Sequence, residues 1–358
     1  MGASRRGSRH SGKPAVVVPA ATPKYIISRV VTSPRPERRG GDIGAKLSYP
    51  RSELVPDVPA ITHGSQLNAT NTGIPAGVSL TNFTSSVTIN ASWITNSNGG
   101  SRTLTARNFT SGTIIHIAAN NFTFQSCKKT GAGGIWIDEP YTGTKFLDCE
   151  IDGNHENFQS STAITGSNYE AKRCHFWRWP RNMFIGGGDV HIEECYMHDL
   201  TIDGSGSHVE NIYVAGGANH VYIRNKLISN LTYLAYWAVG ISASLAIYNE
   251  SWAAFARLDG LVIQDNYMEG DGAYTGYFGA LSAKRNPPLG EYAQNMVVSG
   301  NIFGRQESRF SSVYGPASGF DESGVGNSWT NNTWGSNGPF FVSGDPAAGS
   351  LVAAPGIN

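Results

Sequence analysis

The sequence predicts an all-β protein with a right-handed parallel β-helix fold, and three observations support this prediction. The chain of 358 residues contains 43 glycines and only 15% charged residues, which is typical of a turn-rich β protein. Short stretches with alternating apolar residues recur along the chain. The four cysteines follow the same recurrence, with gaps of 22, 25 and 21 residues.

Each cysteine marks a corner that follows a short strand. The residues five and three positions before it and two after it are usually apolar, as Val190, Ile192 and Met197 are around Cys195. Such alternation predicts a strand with one buried face, followed by a bend. A second short strand precedes each of these segments. Coils of this kind, stacked at about 4.8 Å, build a solenoid, and eight coils give a rod roughly 40 Å long.

The same frame continues after the cysteines end, with asparagine at the corner. In "HVYIRNKLISN" it places Lys226 at the corner, with Asn225 one position early and Val221 and Ile223 facing inward. The predicted corner residues are Cys127, Cys149, Cys174, Cys195, Lys226, Asn266, Asn301 and Asn332.

The cysteines are predicted to be reduced and structural. Regular spacing over four coils separates the sulfurs along the rod, whereas tetrahedral zinc needs its ligands around one point. Disulfides between stacked neighbours remain possible by Cα separation, but in-register strands hold their Cβ atoms side by side. We therefore expect no metal, and no motif predicts a cofactor.

The charged residues test the register independently. Opposite charges fall at the same frame position on successive coils, where stacked strands bring them together. The predicted neighbours are Lys145 with Glu170 and then His191, Lys172 with Glu193, and Asp148 with Arg173 and then Glu194.

The ends of the chain differ from its middle. Residues 1–40 hold nine Lys/Arg and one acid, so a basic arm precedes an acidic body. The arm reads either as a disordered tail or as a segment that docks into an assembly, with "KYIISRVV" (24–31) as a strand; nucleic-acid binding ranks below both. No stretch is apolar enough to span a membrane. The predicted regions are an N-terminal anchoring arm (1–60), a cap with the first strands (61–103), the β-helix (104–340) with insertions at 231–260 and 270–294, and a tail (341–358) that extends or caps the last coil.

A row of residues just past the corner is the first candidate site. Acids next to an aromatic and a cation on one exposed face are typical of a glycan-binding strip. The row comprises Asp152, Trp177, Arg178, His198, Asp199, Glu269 and Arg305. Asp152 and Asp199 lie two coils apart, about 10 Å by stacking distance, at the outer edge of the range for inverting glycosidases. They are weak catalytic candidates, and solvated corner charges are the simpler interpretation.

The two predicted insertions are rich in aromatic residues. They either cover the flank of the rod or pack against a sister chain, or they form a platform for sugar rings. The candidate ligand-binding residues are Tyr233, Tyr236, Trp237, Trp252, Tyr274 and Tyr277.

The frame of residues 104–340, about two thirds of the chain, resembles the right-handed β-helical tail proteins of tailed bacteriophages, most closely minor tail proteins of actinobacterial phages. The resemblance implies a homotrimer in the virion, attached to other tail proteins by its N-terminal arm, with the β-helix facing the host envelope. Members bind surface polysaccharide, cleave it, or do neither. No catalytic motif carries over.

Two functions follow from the residues and the resemblance. The favoured one is a structural and adhesive tail component that contacts host-surface polysaccharide. The alternative is a β-helix polysaccharide lyase or glycoside hydrolase. A secreted bacterial adhesin or carbohydrate enzyme ranks third, because no signal sequence is visible.

Overall fold

The structure is a computed structural model that describes residues 61–156, 161–201, 209–233, 241–248, 258–279 and 293–357, with the backbone alone for 231–233. The arm predicted over residues 1–60 lies outside the described residues. The described strands form three long parallel sheets that wind around a common apolar interior. The prediction of a right-handed parallel β-helix is confirmed.

Each coil contributes one strand to each sheet, and the sheets are named by their place relative to the corner. The pre-corner sheet comprises β3 (Thr103–Thr105), β6 (Thr123–Gln125), β9 (Thr144–Leu147), β12 (Tyr169–Lys172), β15 (His191–Glu193), β19 (Ala218–Ile223), β23 (Asp259–Gln264), β26 (Gln294–Ser299) and β29 (Ser328–Thr330). The post-corner sheet comprises β1 (Thr81–Phe83), β4 (Arg107–Phe109), β7 (Lys128–Thr130), β10 (Glu150–Asp152), β13 (His175–Trp177), β16 (Tyr196–His198), β20 (Lys226–Ser229), β24 (Tyr267–Gly270), β27 (Ile302–Phe303) and β30 (Thr333–Trp334). The third sheet comprises β2 (Val87–Ile89), β5 (Ile115–Ile117), β8 (Ile135–Ile137), β11 (Thr162–Gly166), β14 (Arg181–Ile185), β18 (Val209–Val214), β22 (Ile241–Ile247), β25 (Gly276–Phe278) and β28 (Ala317–Ser318). A side pair joins β17 (Leu200–Thr201) to β21 (Leu231–Tyr233).

The corner is built by one left-handed residue in each coil. The residue before the corner has a positive φ in successive coils, at Ser126, Asp148, Arg173, Glu194, Arg224, Asp265, Gly300 and Asn331. This conformation is costly for side chains other than glycine. It recurs because the backbone N–H at this position donates to the next coil, as Arg173 N does to Glu193 O at 3.0 Å. The stacked ladder thus holds a conformation that a single turn would avoid.

The four cysteines occupy the corner in consecutive coils, as predicted. All four are buried and carry free thiols. Each Sγ–H donates to a carbonyl of the preceding coil, for example Cys174 to Phe146 O at 3.4 Å and Cys195 to Ala171 O at 3.4 Å. Free cysteine behaves as a small buried apolar residue with a weak donor, which suits a closely repeated corner.

Asparagine replaces cysteine at the corner from Asn225 onward, and here the predicted frame is wrong at one coil. Ile223 pairs with Glu193, which places Asn225, not Lys226, level with Cys195. Consequently His220 and Tyr222 face the interior and are fully buried, whereas Val221 and Ile223 face outward. Apolarity alone misplaced the frame, because this coil buries two polar aromatic residues.

The predicted charge ladders are confirmed. Lys145 contacts Glu170 at 2.9 Å, and Lys172 contacts Glu193 at 2.8 Å. Arg173 Nε donates to Asp148 at 2.6 Å. These pairs are partly exposed, so each adds at most about 1 kcal/mol to stability, but together they fix the register.

The first described residues do not belong to the cap of the rod. Residues 61–80, here called the strap, run along the outside of the stacked corners. The strap passes from later coils to earlier ones as the chain proceeds. Backbone hydrogen bonds join Gly64 N to Asp265 O at 2.8 Å and Gly73 N to Arg173 O at 2.7 Å. A Cβ at residue 64 would lie 2.0 Å from the carbonyl oxygen of Asn225, so this approach requires glycine.

The cap predicted over 61–103 is therefore limited to the segment after the strap. It contains the helix α1 (Ala91–Ser97), which places Trp93 edge-on against Phe122 at 6.2 Å. A 3-10 turn (Gly64–Gln66) is the other helical element described. No helix within the described ranges has the length and apolar character of a membrane span.

The two predicted insertions change in part, whereas the tail follows one of its two predicted forms. The segments 231–260 and 270–294 are insertions only in part, because β22 and β25 are regular strands of the third sheet. The tail does cap the last coil: Leu351 pairs with Thr333, and Trp329 Nε1 donates to Val352 O at 2.8 Å.

Candidate functional site

The predicted row past the corner forms a ring cluster on the outer face of the post-corner sheet. Strand register places Asp152 beside Trp177, and Trp177 beside His198. His175 and Tyr196 lie next to them, with ring centroids 5.3 Å apart and planes within 10°. Trp177 stacks on His175 at 4.1 Å. These four rings, together with Asp152, Arg178 and Asp199, are called the post-corner cluster below.

Asp152 is not available as a free carboxylate. Its side chain is buried, and Arg178 Nε donates to its Oδ1 at 2.7 Å while a second guanidinium N–H donates to Oδ2. Asn154 N also donates to Oδ1 at 2.9 Å. A carboxylate that is already paired on both oxygens orients the corner loop and does not act as a base or nucleophile in this arrangement.

Asp199 is engaged as well, through a chain of hydrogen bonds. Its Oδ2 accepts from His198 Nδ1 at 2.9 Å, and His198 Nε2 lies 2.7 Å from His175 Nε2. Although burial alone would raise the pKa of Asp199, hydrogen bonds from His198 and Asn230 lower it. Burial lowers the pKa of His175 to about 3, and the neighbouring His198 adds to this. His175 is therefore neutral, one of the two Nε2 atoms donates to the other, and Asp199 holds the His198 ring in place.

The strap closes one side of the post-corner cluster. A Cβ at Gly73 would lie 2.9 Å from Glu150 Cγ and 3.1 Å from His175 Cβ, and Gly73 has a φ of +80°. The strap backbone can approach this closely only through glycine. The covered side explains why His175 is buried although it projects from the outer face of a sheet.

Two members of the predicted row are structural. Glu269 is buried and accepts from Gln306 N at 2.7 Å. Arg305 is also buried and donates to Gly335 O at 2.8 Å and to Pro346 O at 2.7 Å. The expectation of an exposed strip is wrong for these residues, because the coil bend and the C-terminal tail cover them.

A second set of rings lies on the third sheet and is more open. Tyr213, Tyr248, Tyr277, Tyr274 and Tyr314 form a continuous chain, with successive centroids 5.2, 5.4, 5.4 and 5.9 Å apart. These five residues are called the tyrosine cluster. Their planes are tilted by 34° to 69°, so the rings do not cover each other's faces fully. Tyr314 is 71% exposed.

The sequence of the third sheet explains the position of the tyrosine cluster. Tyr213, Ala246 and Tyr277 are register partners on successive strands. The small Ala246 leaves room between the two tyrosines, and Tyr248 fills it. Each of Tyr213 and Tyr277 projects outward between two inward residues, which is the alternation of a half-buried strand.

The base of the tyrosine cluster is a buried ion pair. Arg181 donates to Glu210 Oε2 at 2.9 Å, and Glu210 is fully buried. The Arg181 guanidinium also lies over the Tyr213 ring, 4.6 Å from its centroid. Burial, together with the Glu210 carboxylate, raises the pKa of Tyr248, and burial beside Tyr274 raises the pKa of Tyr277 to about 12. Both hydroxyls therefore stay protonated and can donate hydrogen bonds.

The structure describes two of the six aromatic residues of the predicted platform with their side chains. Tyr274 and Tyr277 belong to the tyrosine cluster, whereas Tyr236, Trp237 and Trp252 lie outside the described residues, as does the side chain of Tyr233. Tyr213, Tyr248 and Tyr314 were missed. The available signal was an aromatic residue between two apolar ones in the third strand of successive coils, as in "IYV" (212–214).

The titratable residues do not assemble into a metal centre within the ranges that the structure covers. Comparison of the chain with protein-family models, curated proteins and solved structures found no match.

Proposed function

We propose that this chain is a structural and adhesive tail component of a bacteriophage, whose β-helix contacts host-surface polysaccharide through the tyrosine cluster. The tyrosine cluster carries the proposal of glycan contact. Tyr213 and Tyr277 project from strands of the third sheet, and the other three tyrosines lie in the adjoining loops. Together they offer apolar ring surface and hydroxyl donors, and this combination suits the apolar faces and hydroxyl groups of sugars.

The attachment to a tail has different support. The basic composition of residues 1–40 suits docking into an acidic partner, and the repeat frame resembles β-helical tail proteins. The homotrimer and the location in the virion belong to the same proposal, because the resemblance implies both. We do not propose glycan cleavage, since Asp152 and Asp199 are each held by hydrogen bonds to neighbouring side chains.

The tyrosine cluster predicts a specific binding defect. Tyr314→Ala and Tyr274→Ala should each weaken polysaccharide binding about tenfold, because a ring contact contributes roughly 1 to 1.5 kcal/mol. The measurement is the Kd of the full chain for a panel of purified bacterial cell-wall and capsular polysaccharides.

Trp136→Ala is the matched control for this experiment. Trp136 projects from the same face of the third sheet and is 47% exposed, but lies five coils from Tyr277, about 24 Å away by stacking distance. We expect its removal to leave the Kd unchanged. An equal loss in the control, or no binding of the parent chain to any polysaccharide of the panel, contradicts the proposed role.

The arm predicts an assembly defect. Removing residues 1–40 should leave a soluble rod that no longer incorporates into particles, because it removes nine Lys/Arg of the predicted anchor and none of the described strands. Immunoblots of purified particles measure incorporation, and light scattering on the truncated chain measures its copy number, for which three is expected. An arm of equal length with its Lys and Arg changed to Gln tests the charge. Normal incorporation of the truncated chain would contradict anchoring by the arm.

A further inference from the structure

The C-terminal end of the rod has an open sheet edge. The last strand of the pre-corner sheet, β29, pairs with β26 on one side. No strand within the described residues pairs with its other side. The backbone of the tail pairs with the neighbouring strand β30, since Trp334 N donates to Ser350 O at 2.9 Å, and the tail contacts β29 through the side chain of Trp329. An uncovered edge of this kind pairs readily with another strand.

Exposed large apolar side chains are concentrated in the C-terminal part of the chain. Of the eight large hydrophobic residues that are exposed in the described part, six lie between residues 313 and 351. Val325 is 68% exposed, Leu351 is 70% exposed and Phe340 is 54% exposed. Val325 lies three residues before β29, and Leu351 pairs with Thr333 of the neighbouring strand. An open edge with exposed apolar residues near it is a surface that a further segment can cover.

The strap brings the N-terminal part of the chain to this end. His63 Nδ1 accepts from Ser65 N at 3.0 Å, so its Nε2 carries the proton and donates to Gly300 O at 3.0 Å. Gly300 N in turn donates to Thr330 O, the last residue of β29, at 3.0 Å. The strap therefore begins within one coil of the open edge.

We propose that residues 24–31 of the same chain add as a strand to the open edge of β29 and cover the apolar side chains beside it. The sequence "KYIISRVV" is rich in β-branched residues, and one face of an extended strand would carry Tyr25, Ile27 and Val31 together with Arg29. The 29 residues from 32 to 60 span up to about 95 Å, so the link reaches easily. Its attachment next to β29 gives the segment a high effective concentration at this edge.

Cross-linking of the full chain tests the proposal without any particle, so its result is separate from that of tail attachment. Ser28→Cys combined with Ser328→Cys on β29 should give a cross-link within one chain on treatment with a short bismaleimide, located by mass spectrometry. The native cysteines are buried and do not compete. The control pairs Ser28→Cys with Thr103→Cys on β3, the opposite edge of the same sheet and about 40 Å away, and should not cross-link.

Other outcomes overturn the proposal. A cross-link between two chains assigns the edge to a second copy, and equal cross-linking in both pairs, or none in either, means that residues 24–31 do not bind there. Amide exchange gives an independent readout. Removing residues 1–40 should speed exchange across Ser328–Thr330, and a synthetic peptide of residues 24–31 should slow it again. Unchanged exchange in the truncated chain also contradicts the proposal.

Discussion

Asn301→Ala is expected to lower the free energy of unfolding by about 3–5 kcal/mol, because it leaves several buried polar groups without partners. Asn301 is fully buried at the corner. Its Oδ1 accepts from Asn266 N and from Asn266 Nδ2, both at 3.0 Å. Its Nδ2 donates to Ile263 O at 2.9 Å and to Asn332 Oδ1 at 2.8 Å. Chemical denaturation of the full chain measures the change.

Two controls test whether the loss of stability comes from the buried hydrogen-bonded row of corner asparagines, here called the asparagine ladder, or from losing any asparagine pair. Asn82→Ala removes an exposed pair in which Asn108 Nδ2 donates to Asn82 Oδ1 at 2.8 Å, and should cost less than about 1 kcal/mol. Asn301→Cys should fall between the two, because a thiol at the corner still donates to the preceding coil, as Cys174 does. A cost below about 1 kcal/mol for Asn301→Ala would show that the ladder does not stabilise the stack.

The corner could be predicted from sequence because its chemistry repeats. Cys149, Cys174 and Cys195 each sit three residues after an inward residue and two before another, and the ladders of Lys145 and Lys172 gave the same register from charge. Stacked parallel strands place identical frame positions next to each other, so one correct coil predicts the next.

The predicted frame was wrong in the coil where the apolar residues do not lie at the inward positions. In the coil of Asn225, the outward positions hold Val221 and Ile223, and the inward positions hold His220 and Tyr222. β-branched residues suit either face of a strand, whereas the corner asparagine is fixed by its ladder with Asn266, whose Oδ1 accepts from Asn225 N at 2.8 Å. The corner asparagine was therefore a better guide to the frame than the apolar pattern.

The candidate sites were only partly predictable. The row of Asp152, Trp177 and His198 followed from the corner frame, but the burial of the adjacent His175 depends on the strap, which lies about 100 residues away in sequence. The tyrosine cluster lies in the third sheet, where turns of variable length separate the strands from the corner. The positions of Tyr213 and Tyr277 in their coils therefore could not be found by counting residues from the corners at Asn225 and Asn266.

Among the described coils, Lys129 is the one charged residue that faces the interior from the post-corner sheet. Other coils hold Ile151, Phe176 or Met197 at this position. Lys129 is buried, and its Nζ donates to the carbonyl oxygens of Thr130, Gly131 and Ala132 at 3.0, 3.1 and 2.7 Å. Burial lowers the pKa of Lys129 from its usual 10.5 to about 8, against the opposing effect of two nearby carboxylates.

Lys129→Met should therefore stabilise the protein at pH 7 by about 1–3 kcal/mol, since each pKa unit corresponds to about 1.4 kcal/mol and part of the gain is offset by the lost carbonyl contacts. Between pH 8 and 10.5 the unfolded chain holds the proton that the folded chain has released. The contribution of Lys129 to the stability of the parent protein should accordingly rise with pH across this window, and the full cost of burying its charge is present below pH 8. Burial raises the pKa of Cys127 to about 11, so this thiol acts in the opposite direction, but equally in the parent and in the variants.

Denaturation at pH 7 and at pH 9.5 measures both effects, with Lys128→Met as the matched control. Lys128 is partly exposed and contacts Glu150 at 2.9 Å, so its replacement should change stability by less than about 1 kcal/mol at both pH values. The stabilisation of Lys129→Met relative to the parent should shrink between pH 7 and pH 9.5. If the variant is instead less stable than the parent at pH 7, the three carbonyl contacts outweigh the cost of burying the charge, and Lys129 is a structural clamp for the bend at residues 130–132.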